Sequence, residues 1–353
     1  MNHSIVCNTR VLSNKSFVRD NFTSGVQRYT FEILNAMTSC CSTMEPVTKL
    51  NGFAGHMWEQ VCLPYYLAQE KSPLLWSPSN SGPLGYKNQV ITLHDLVPFD
   101  HPQWLNPTFG KWYRFITPKL LNSVKHVITI SEFTKSRILD ISNIPENKIS
   151  VVHNGVDDRF YRRNSEQIEA VKQFYGLGSK PFILSLASLQ PRKNLNRLVD
   201  AWNLIKSQVD ANLVIAGGWG NSNVYQKIDI DTGDDSIKLI GHVSDELLPS
   251  LYSAAICFVY PSVYEGFGLP PLEAMACETP VIVGSLTSLP EVVGEAGLLV
   301  DPYSKDEIAE TILTVYSNSE LRANLSKAGK VRSKIFTWKD AARKIESILQ
   351  NYS

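Results

Sequence analysis

Two carboxylates lie on either side of a glycine- and proline-rich stretch in the second half of the chain. In P-S-V-Y-E-G-F-G-L-P-P-L-E-A-M-A, residues 261–276, Glu265 and Glu273 are eight residues apart. A strand-like apolar run ends just before this stretch, and the double proline suits the first turn of a helix. We therefore expect Glu265 in a loop and Glu273 in the first turn of that helix. Gly266 and Gly268 would let the backbone approach a ligand, and a helix N-terminus favours phosphate.

Short apolar runs alternate with helix-length segments along the whole chain, which is typical of βαβ units and predicts an α/β fold with parallel sheets. The last three amphipathic segments are helical and follow the final strand. The polar stretch at residues 157–167 predicts a linker, and we place the domain boundary near residue 165. We predict strands at 5–8, 74–76, 89–94, 126–130, 149–153, 182–187, 212–217, 237–241, 255–260, 280–284 and 297–300, and first-half helices at 25–39, 57–69, 108–123 and 132–142.

The composition excludes several classes of protein. The 34 Lys and Arg residues equal the 34 Asp and Glu residues, so no basic field for nucleic acid exists and an anionic ligand must be held locally. The six cysteines have neither zinc-ligand spacing nor a disulfide pattern, and no apolar run has the length of a signal peptide or membrane span. We expect a cytoplasmic protein.

The stretch E-G-F-G-L-P-P-L-E-A-M-A-C-E-T-P-V-I resembles the signature of the retaining nucleotide-sugar glycosyltransferases of the GT-B class, known as group 1. The resemblance implies two facing Rossmann-like domains with parallel sheets and a deep cleft between them. It also implies an acceptor-binding domain at 1–165, a donor-binding domain at 166–335 and a C-terminal helix, 336–353, that crosses back onto the first domain.

The same resemblance assigns roles to the two glutamates. It implies that Glu265 contacts hydroxyls of the donor sugar and that Glu273 contacts the ribose of the nucleotide. The loop amides near Phe267, Gly268 and Leu269 would face the diphosphate.

Four further segments agree with this family. Arg192 and Lys193 follow a predicted strand, where two cations suit a diphosphate leaving group; many members also carry an arginine where this chain has Ser188. The backbone around Val243 would bind the base. His94 would lie near the reacting sugar, although a lone histidine at a strand end is more often structural. Gly25 would admit a phosphate or the acceptor, unless it only begins a helix.

The resemblance is strongest to bacterial mannosyltransferases of O-antigen or exopolysaccharide synthesis. It implies GDP-mannose as the donor, with a UDP-hexose or another GDP-sugar as the alternative. The acceptor would be a lipid-linked oligosaccharide at the inner membrane face. No metal or other cofactor is required by this mechanism.

Residues 104–126 alternate aromatic with basic side chains, which favours either peripheral membrane contact or a core helix with a solvated basic face. A sugar-nucleotide epimerase and an inactive sugar-nucleotide-binding protein are the competing functions.

Overall fold

The computed structural model describes residues 5–12, 24–38, 41–48, 50, 52–186, 188, 190–218 and 235–353. The chain divides into two compact units. Unit 1 comprises Met1–Pro102, Pro107–Gly155 and Thr337–Ser353, and unit 2 comprises Gln103–Asn106 and Val156–Phe336.

Unit 1 contains a parallel sheet in the order β2-β1-β3-β4-β5-β6. Its strands are β1 (Ile5–Asn8), β2 (Ser42–Met44), β3 (Leu74–Ser77), β4 (Gln89–Leu93), β5 (His126–Thr129) and β6 (Ile149–Val151). Its helices are α1 (Gly25–Ala36), α2 (Gly52–Met57), a π-helical turn (Trp58–Cys62), α3 (Leu63–Gln69), α4 (Val97–Asp100), α5 (Pro107–Ser123), α6 (Glu132–Ile141) and, at the C-terminus, Trp338–Tyr352.

Unit 2 contains a second parallel sheet in the order β12-β11-β10-β7-β8-β9. Its strands are β7 (Phe182–Leu186), β8 (Asn212–Ala216), β9 (Ile237–Gly241), β10 (Cys257–Tyr260), β11 (Val281–Gly284) and β12 (Leu298–Val300). Its helices are α7 (Ser165–Phe174), α8 (Leu195–Ile205), α9 (Leu248–Ala254), α10 (Leu269–Ala276), α11 (Leu289–Val293), α12 (Lys305–Ser317) and α13 (Ser319–Ser333); the Trp338–Tyr352 helix of unit 1 is α14.

Burial explains why these segments form central strands. All residues of β4, β5, β10 and β11 are buried, as expected for parallel strands covered by helices on both faces. In unit 2 the fully buried Trp202 of α8 is part of a large apolar core, and its indole Nε1 donates to Ser236 Oγ at 2.9 Å. The predicted α/β class with parallel sheets is confirmed.

The structure differs from the predicted elements in several places, and the short helix α4 is one element that was not predicted. β2, with the sequence S-T-M, was not predicted because it has no buried apolar run. The helix predicted over 57–69 begins at Gly52 and contains the π-helical turn. The helix predicted over 25–39 ends at Ala36, because Met37 adopts an extended conformation; residue 39, like Ala187 of the predicted strand 182–187, lies outside the described residues.

The change from unit 1 to unit 2 falls between Gly155 and Val156, before the predicted boundary near residue 165. The intervening residues already contact α9 of unit 2, since Arg163 N donates to Ser253 Oγ at 3.0 Å and Arg162 Nη1 to Ser253 O at 3.3 Å. α14 packs on unit 1, where Thr38 N donates to Glu346 Oε1 at 2.6 Å.

Candidate functional site

The sheet of unit 2 has a topological switch point between β7 and β10. From β7 the chain adds β8 and β9 on one side and then places β10, β11 and β12 on the other. This is the Rossmann strand order, in which ligands bind beyond the carboxyl ends of the strands at the switch point. The segments that follow β7 and β10 therefore form the candidate site of unit 2.

These two segments are joined by backbone and side-chain hydrogen bonds. After β7, Pro191–Lys193 form a 3-10 turn, and Val263 N donates to Arg192 O at 2.9 Å, while Ser262 Oγ lies 2.9 Å from the same carbonyl. Asn194 adopts a left-handed conformation with φ 58°, and its Nδ2 donates to Pro261 O at 3.0 Å. Asparagine tolerates this backbone region better than most residues. The basic turn is thus fixed against the loop after β10.

The carboxylate of Glu265 is the centre of this arrangement and is buried, with 6% exposure. Lys193 Nζ donates to its Oε1 at 2.7 Å, and Arg192 Nη1 donates to its Oε2 at 2.7 Å. Ser262 Oγ and Tyr260 OH also donate to Oε1, at 2.7 and 2.9 Å. One carboxylate therefore holds two cations and two hydroxyls in a fixed geometry.

The charges in this cluster are strongly coupled. Burial by itself raises the pKa of Glu265, but the charges of Arg192 and Lys193 outweigh it and lower that pKa from 4.5 to about 2. Burial, and then the charge of Glu265, raise the pKa of Tyr260 well above its ordinary value, so its hydroxyl stays protonated and donates to Glu265 while accepting from Lys193. Among these contacts, two cations face one carboxylate.

The loop after Glu265 turns sharply at Gly268, whose φ of 114° is unfavourable for other residues. A Cβ at this position would also lie 2.7 Å from Leu289 Cδ2. Ser288 Oγ lies 2.9 Å from Glu265 O and 2.8 Å from Phe267 O, so its single hydroxyl proton is shared between the two carbonyls. These contacts orient the Glu265–Gly266 and Phe267–Gly268 peptide groups.

The start of α10 offers fewer backbone donors than we expected from the sequence. Gly268 is the N-cap, and Pro270 and Pro271 occupy the second and third helical positions. Proline has no N–H group, so only Leu269 keeps one among the first three helical residues. Binding of an anion here would therefore depend more on the backbone N–H groups of the loop from Gly266 to Leu269 than on the N-terminus of α10.

Glu273 lies in the second turn of α10, not in its first turn as predicted, because the helix already begins at Leu269. Its side chain is buried, with 5% exposure. Tyr252 OH, from α9, donates to Glu273 Oε2 at 3.2 Å. Burial and then the charge of Glu273 raise the pKa of Tyr252, so this hydroxyl remains a donor. Val243, between β9 and α9, is also buried and belongs to the same unit.

His94 and Gly25 belong to unit 1. His94 follows β4 and is buried; its Nε2 lies 2.7 Å from Pro78 O, and its ring packs edge-on against Tyr29 at 4.6 Å. Because a carbonyl only accepts, Nε2 carries the proton and Nδ1 is the basic nitrogen. Burial lowers the pKa of His94 to about 4, so the ring is neutral near pH 7. Gly25 begins α1, one turn before Tyr29 on the same helix face.

Comparison with known proteins identifies the family. The profile of "Glycosyl transferases group 1" matches residues 167–332, and that of "Glycosyltransferase Family 4" matches residues 74–160. O-antigen chain mannosyltransferase B of Escherichia coli is 33% identical over 278 residues, which are 78% of this chain and 73% of that protein. The chain belongs to the group 1 glycosyltransferases.

Two further proteins are similar to this glycosyltransferase. O-antigen chain mannosyltransferase RfbU of Salmonella typhimurium is 31% identical over 224 residues, 61% of this chain and 57% of that protein. The Anabaena protein HepE, solved with UDP and glucose, has a TM-score of 0.75 at 18% identity and 99% coverage of both chains. This structural likeness shows that the fold is GT-B.

Several residues of the glycosyltransferase site were missed at the sequence level. Tyr260 and Ser262 donate to Glu265, and Tyr252 donates to Glu273. Tyr260 could have been predicted, because it is the last residue of β10 and therefore lies at the carboxyl edge of the sheet, where ligands bind. Tyr252 gives no such signal, since its position on α9 looks like an ordinary core residue.

The described part of the glycosyltransferase contains no group of three or more His, Cys, Asp or Glu side chains that could hold a metal ion. No helix in the described ranges is long and apolar enough to cross a membrane.

Replacing Glu265 by glutamine tests the charge of the buried carboxylate. Because its pKa in the folded protein is about 2 and its ordinary value is 4.5, the carboxylate stabilises the fold above about pH 4.5, and this stabilisation is lost as the pH falls towards 2. Between about pH 6 and pH 2, we expect wild type to lose about 3 kcal/mol more unfolding free energy than Glu265→Gln.

Urea unfolding at a series of pH values measures this difference. Glu310→Gln, which removes an exposed carboxylate from α12 of the same unit, is the control and should follow wild type. Parallel pH profiles for wild type and Glu265→Gln would show that the carboxylate is not held in its charged form by Arg192 and Lys193.

Proposed function

We propose that this glycosyltransferase moves mannose from GDP-mannose to a lipid-linked oligosaccharide, with retention of the anomeric configuration, in O-antigen or exopolysaccharide synthesis. The observation that carries the proposal is the cluster of Arg192, Lys193 and Glu265 at the switch point of unit 2.

The charge balance of this cluster suits a nucleoside diphosphate. In the described contacts two cations face one carboxylate, a charge balance that suits pairing with a diphosphate. Charged hydrogen bonds from Arg and Lys to phosphate are short and strong. Glu265 holds both cations in place before the ligand arrives, which reduces the reorganisation needed when charge develops.

In the proposed reaction the bond between the anomeric carbon and the diphosphate oxygen breaks, and the acceptor hydroxyl forms a new bond on the same face. The proton of that hydroxyl passes to the departing phosphate oxygen. Arg192, Lys193 and the loop amides from Gly266 to Leu269 stabilise the negative charge of the diphosphate. The proposal needs no protein nucleophile and no divalent cation.

The remaining residues position the donor and the acceptor. Glu265 contacts the sugar hydroxyls, and Glu273, oriented by Tyr252, contacts the ribose. The backbone around Val243 contacts the base, and Gly25 leaves room for a phosphate or the acceptor. His94 is neutral near pH 7 with an unprotonated Nδ1, so it acts as an acceptor of hydrogen bonds from a sugar hydroxyl.

The choice of mannose is supported by the two relatives whose names state mannosyl transfer to O-antigen. A UDP-hexose is the alternative donor, supported by the likeness to HepE, which was solved with UDP and glucose.

A panel of nucleotide sugars tests the donor. A ligand that binds only the folded state stabilises it by about 2.7 kcal/mol at a hundred times its Kd. We expect GDP-mannose to raise the melting temperature more than UDP-glucose, UDP-galactose or GDP-fucose.

We also expect the product formed on an alkyl α-mannoside to contain α-linked mannose, and we expect EDTA not to change the rate at which it forms. Stabilisation by UDP-sugars alone would overturn the GDP-mannose assignment, and a β-linked product would overturn retention.

The acceptor is proposed to be presented at a membrane surface, and the exposed face of α5 supports peripheral contact. Lys111, Arg114 and Lys119 are exposed, and the ring of Phe115 is 54% exposed with Lys119 Nζ 3.4 Å from its centre. Basic and aromatic side chains on one helix favour the interface of an anionic bilayer.

Vesicle sedimentation tests this contact. We expect binding to phosphatidylglycerol vesicles that weakens about tenfold or more when Lys111 and Arg114 are both changed to glutamate. The control, Lys327→Glu with Lys334→Glu, removes two exposed cations of unit 2 and should retain more binding. Equal binding of all three proteins, or none by wild type, would exclude α5 as a membrane contact.

A further inference from the structure

Another buried glutamate, Glu59, lies in unit 1, where no predicted role accounts for it. Its side chain has no exposed surface, and it lies on the π-helical turn between α2 and α3. Leu63 and Leu67, four and eight residues later, are fully buried in the core of this unit. At helical spacing, Glu59 therefore occupies a position on the core face where an apolar residue is expected. π-helical turns are rare and often occur at functional sites.

The carboxylate of Glu59 connects three segments of the chain. Asn8 Nδ2, from the end of β1, donates to Oε1 at 2.7 Å, and Ser81 Oγ, from the loop after β3, donates to Oε2. Arg10 Nε lies 3.5 Å from Oε1, and His56 Nδ1 lies 3.7 Å from Oε2. Burial alone raises the pKa of Glu59, but Arg10 and the hydrogen bonds lower it to about 2, so the group is charged.

These contacts lie at the switch point of the sheet in unit 1. The chain adds β2 on one side of β1 and then β3, β4, β5 and β6 on the other, so the direction reverses between β1 and β3. Asn8 ends β1 and Ser81 follows β3, and Glu59 joins them. In open α/β sheets this is the place where ligands bind. Glu59 thus joins the two switch-point segments of unit 1, as Glu265 does in unit 2, although Glu59 lies on the helical crossover between β2 and β3.

The partners of Glu59 reach the protein surface. The side chains of Arg10 and His56 are 15% and 13% exposed. The ring of His56 packs against Trp112 at 5.4 Å and Tyr113 at 5.8 Å, and both of these α5 rings are partly exposed. Aromatic rings beside hydrogen-bond donors suit a sugar, which has both apolar faces and hydroxyl groups.

The guanidinium of Arg10 is closely confined. A Cβ on Gly55 of α2 would lie 2.9 Å from Arg10 Nη1 and 2.8 Å from Leu50 O. Glycine at this position therefore lets Arg10 lie against the helix backbone. Together with Glu59, it fixes the direction in which the guanidinium points.

We propose that Arg10, His56, Trp112 and Tyr113 form a binding subsite for a neutral hexose unit of the acceptor, and that Glu59 positions Arg10 and His56. This inference rests on the proposed function only in that the acceptor is a saccharide. Arg10 contacts the sugar hydroxyls through its planar donors, His56 donates or accepts one further hydrogen bond, and the α5 rings cover an apolar face of the sugar.

The charge balance favours a neutral sugar over a phosphate group. In the described contacts of this cluster one carboxylate faces one guanidinium, whereas at Glu265 one carboxylate faces two cations. A contribution to stability does not by itself explain why a charged residue occupies position 59. Replacing a buried ion pair with apolar residues often leaves a protein equally or more stable.

Binding of methyl α-D-mannopyranoside, followed by saturation-transfer NMR, tests the subsite without requiring turnover. We expect His56→Ala and Arg10→Lys each to weaken binding about tenfold, which corresponds to the loss of one or two good contacts. Arg10→Lys keeps the positive charge beside Glu59 and so preserves the fold, and His56→Gln should recover part of the binding. Phe174→Ala, which removes a 71% exposed ring from α7, is the control and should bind as wild type does.

Turnover separates this inference from the proposed function. With GDP-mannose as donor, we expect His56→Ala and Arg10→Lys to raise KM for the mannoside about tenfold. We also expect wild type to hydrolyse the donor slowly without acceptor, and both variants to do so at the same rate. Wild-type affinity and KM in both variants, or no saturable mannoside binding by wild type, would overturn the subsite even if donor hydrolysis is observed. Absent donor hydrolysis with intact, His56-dependent binding would overturn the proposed donor and leave the subsite standing.

Discussion

The ion cluster in which Glu265 holds Arg192 and Lys193 is the interaction on which the rest of unit 2 depends. A carboxylate this deeply buried is tolerated only because two cations and two hydroxyls compensate its lost hydration. The same contacts fix the turn after β7 against the loop after β10, and that loop in turn sets the direction of α10. The shape of the unit at the switch point therefore follows from one buried charge.

Both units use the same physical device with different charge balances. Parallel strands bring their carboxyl ends to one edge of each sheet. At each switch point a buried glutamate joins the segments that follow the two neighbouring strands, β1 and β3 in unit 1 and β7 and β10 in unit 2. In unit 2 the excess of cations suits a diphosphate, and in unit 1 the matched charges and nearby rings suit a neutral sugar. A transferase needs both kinds of recognition, one for its charged donor and one for its acceptor.

Sequence reasoning predicted the α/β class, most strand positions and the three charged residues of the cluster of unit 2, but not its two hydroxyl donors, Tyr260 and Ser262. It succeeded because buried parallel strands are continuous apolar runs, and because Arg192, Lys193 and Glu265 directly follow such runs. It overestimated the number of free backbone N–H groups at the start of α10, because Pro270 and Pro271 have none. It also missed Glu59, although the four-residue spacing to Leu63 was visible. Contacts between distant segments, such as Tyr252 with Glu273, depend on tertiary packing that spacing does not encode.

The turnover of Lys193→Ala tests the central claim most directly, because this change removes one of the two cations proposed to stabilise the departing diphosphate and leaves Arg192 to pair with Glu265. Loss of one such electrostatic contact costs about 100-fold or more in turnover. We predict a loss of that size for transfer from GDP-mannose, with a circular dichroism spectrum like that of wild type. Lys180→Ala, which removes an exposed lysine of the same unit, should keep wild-type turnover. A folded Lys193→Ala protein with wild-type turnover would contradict the account.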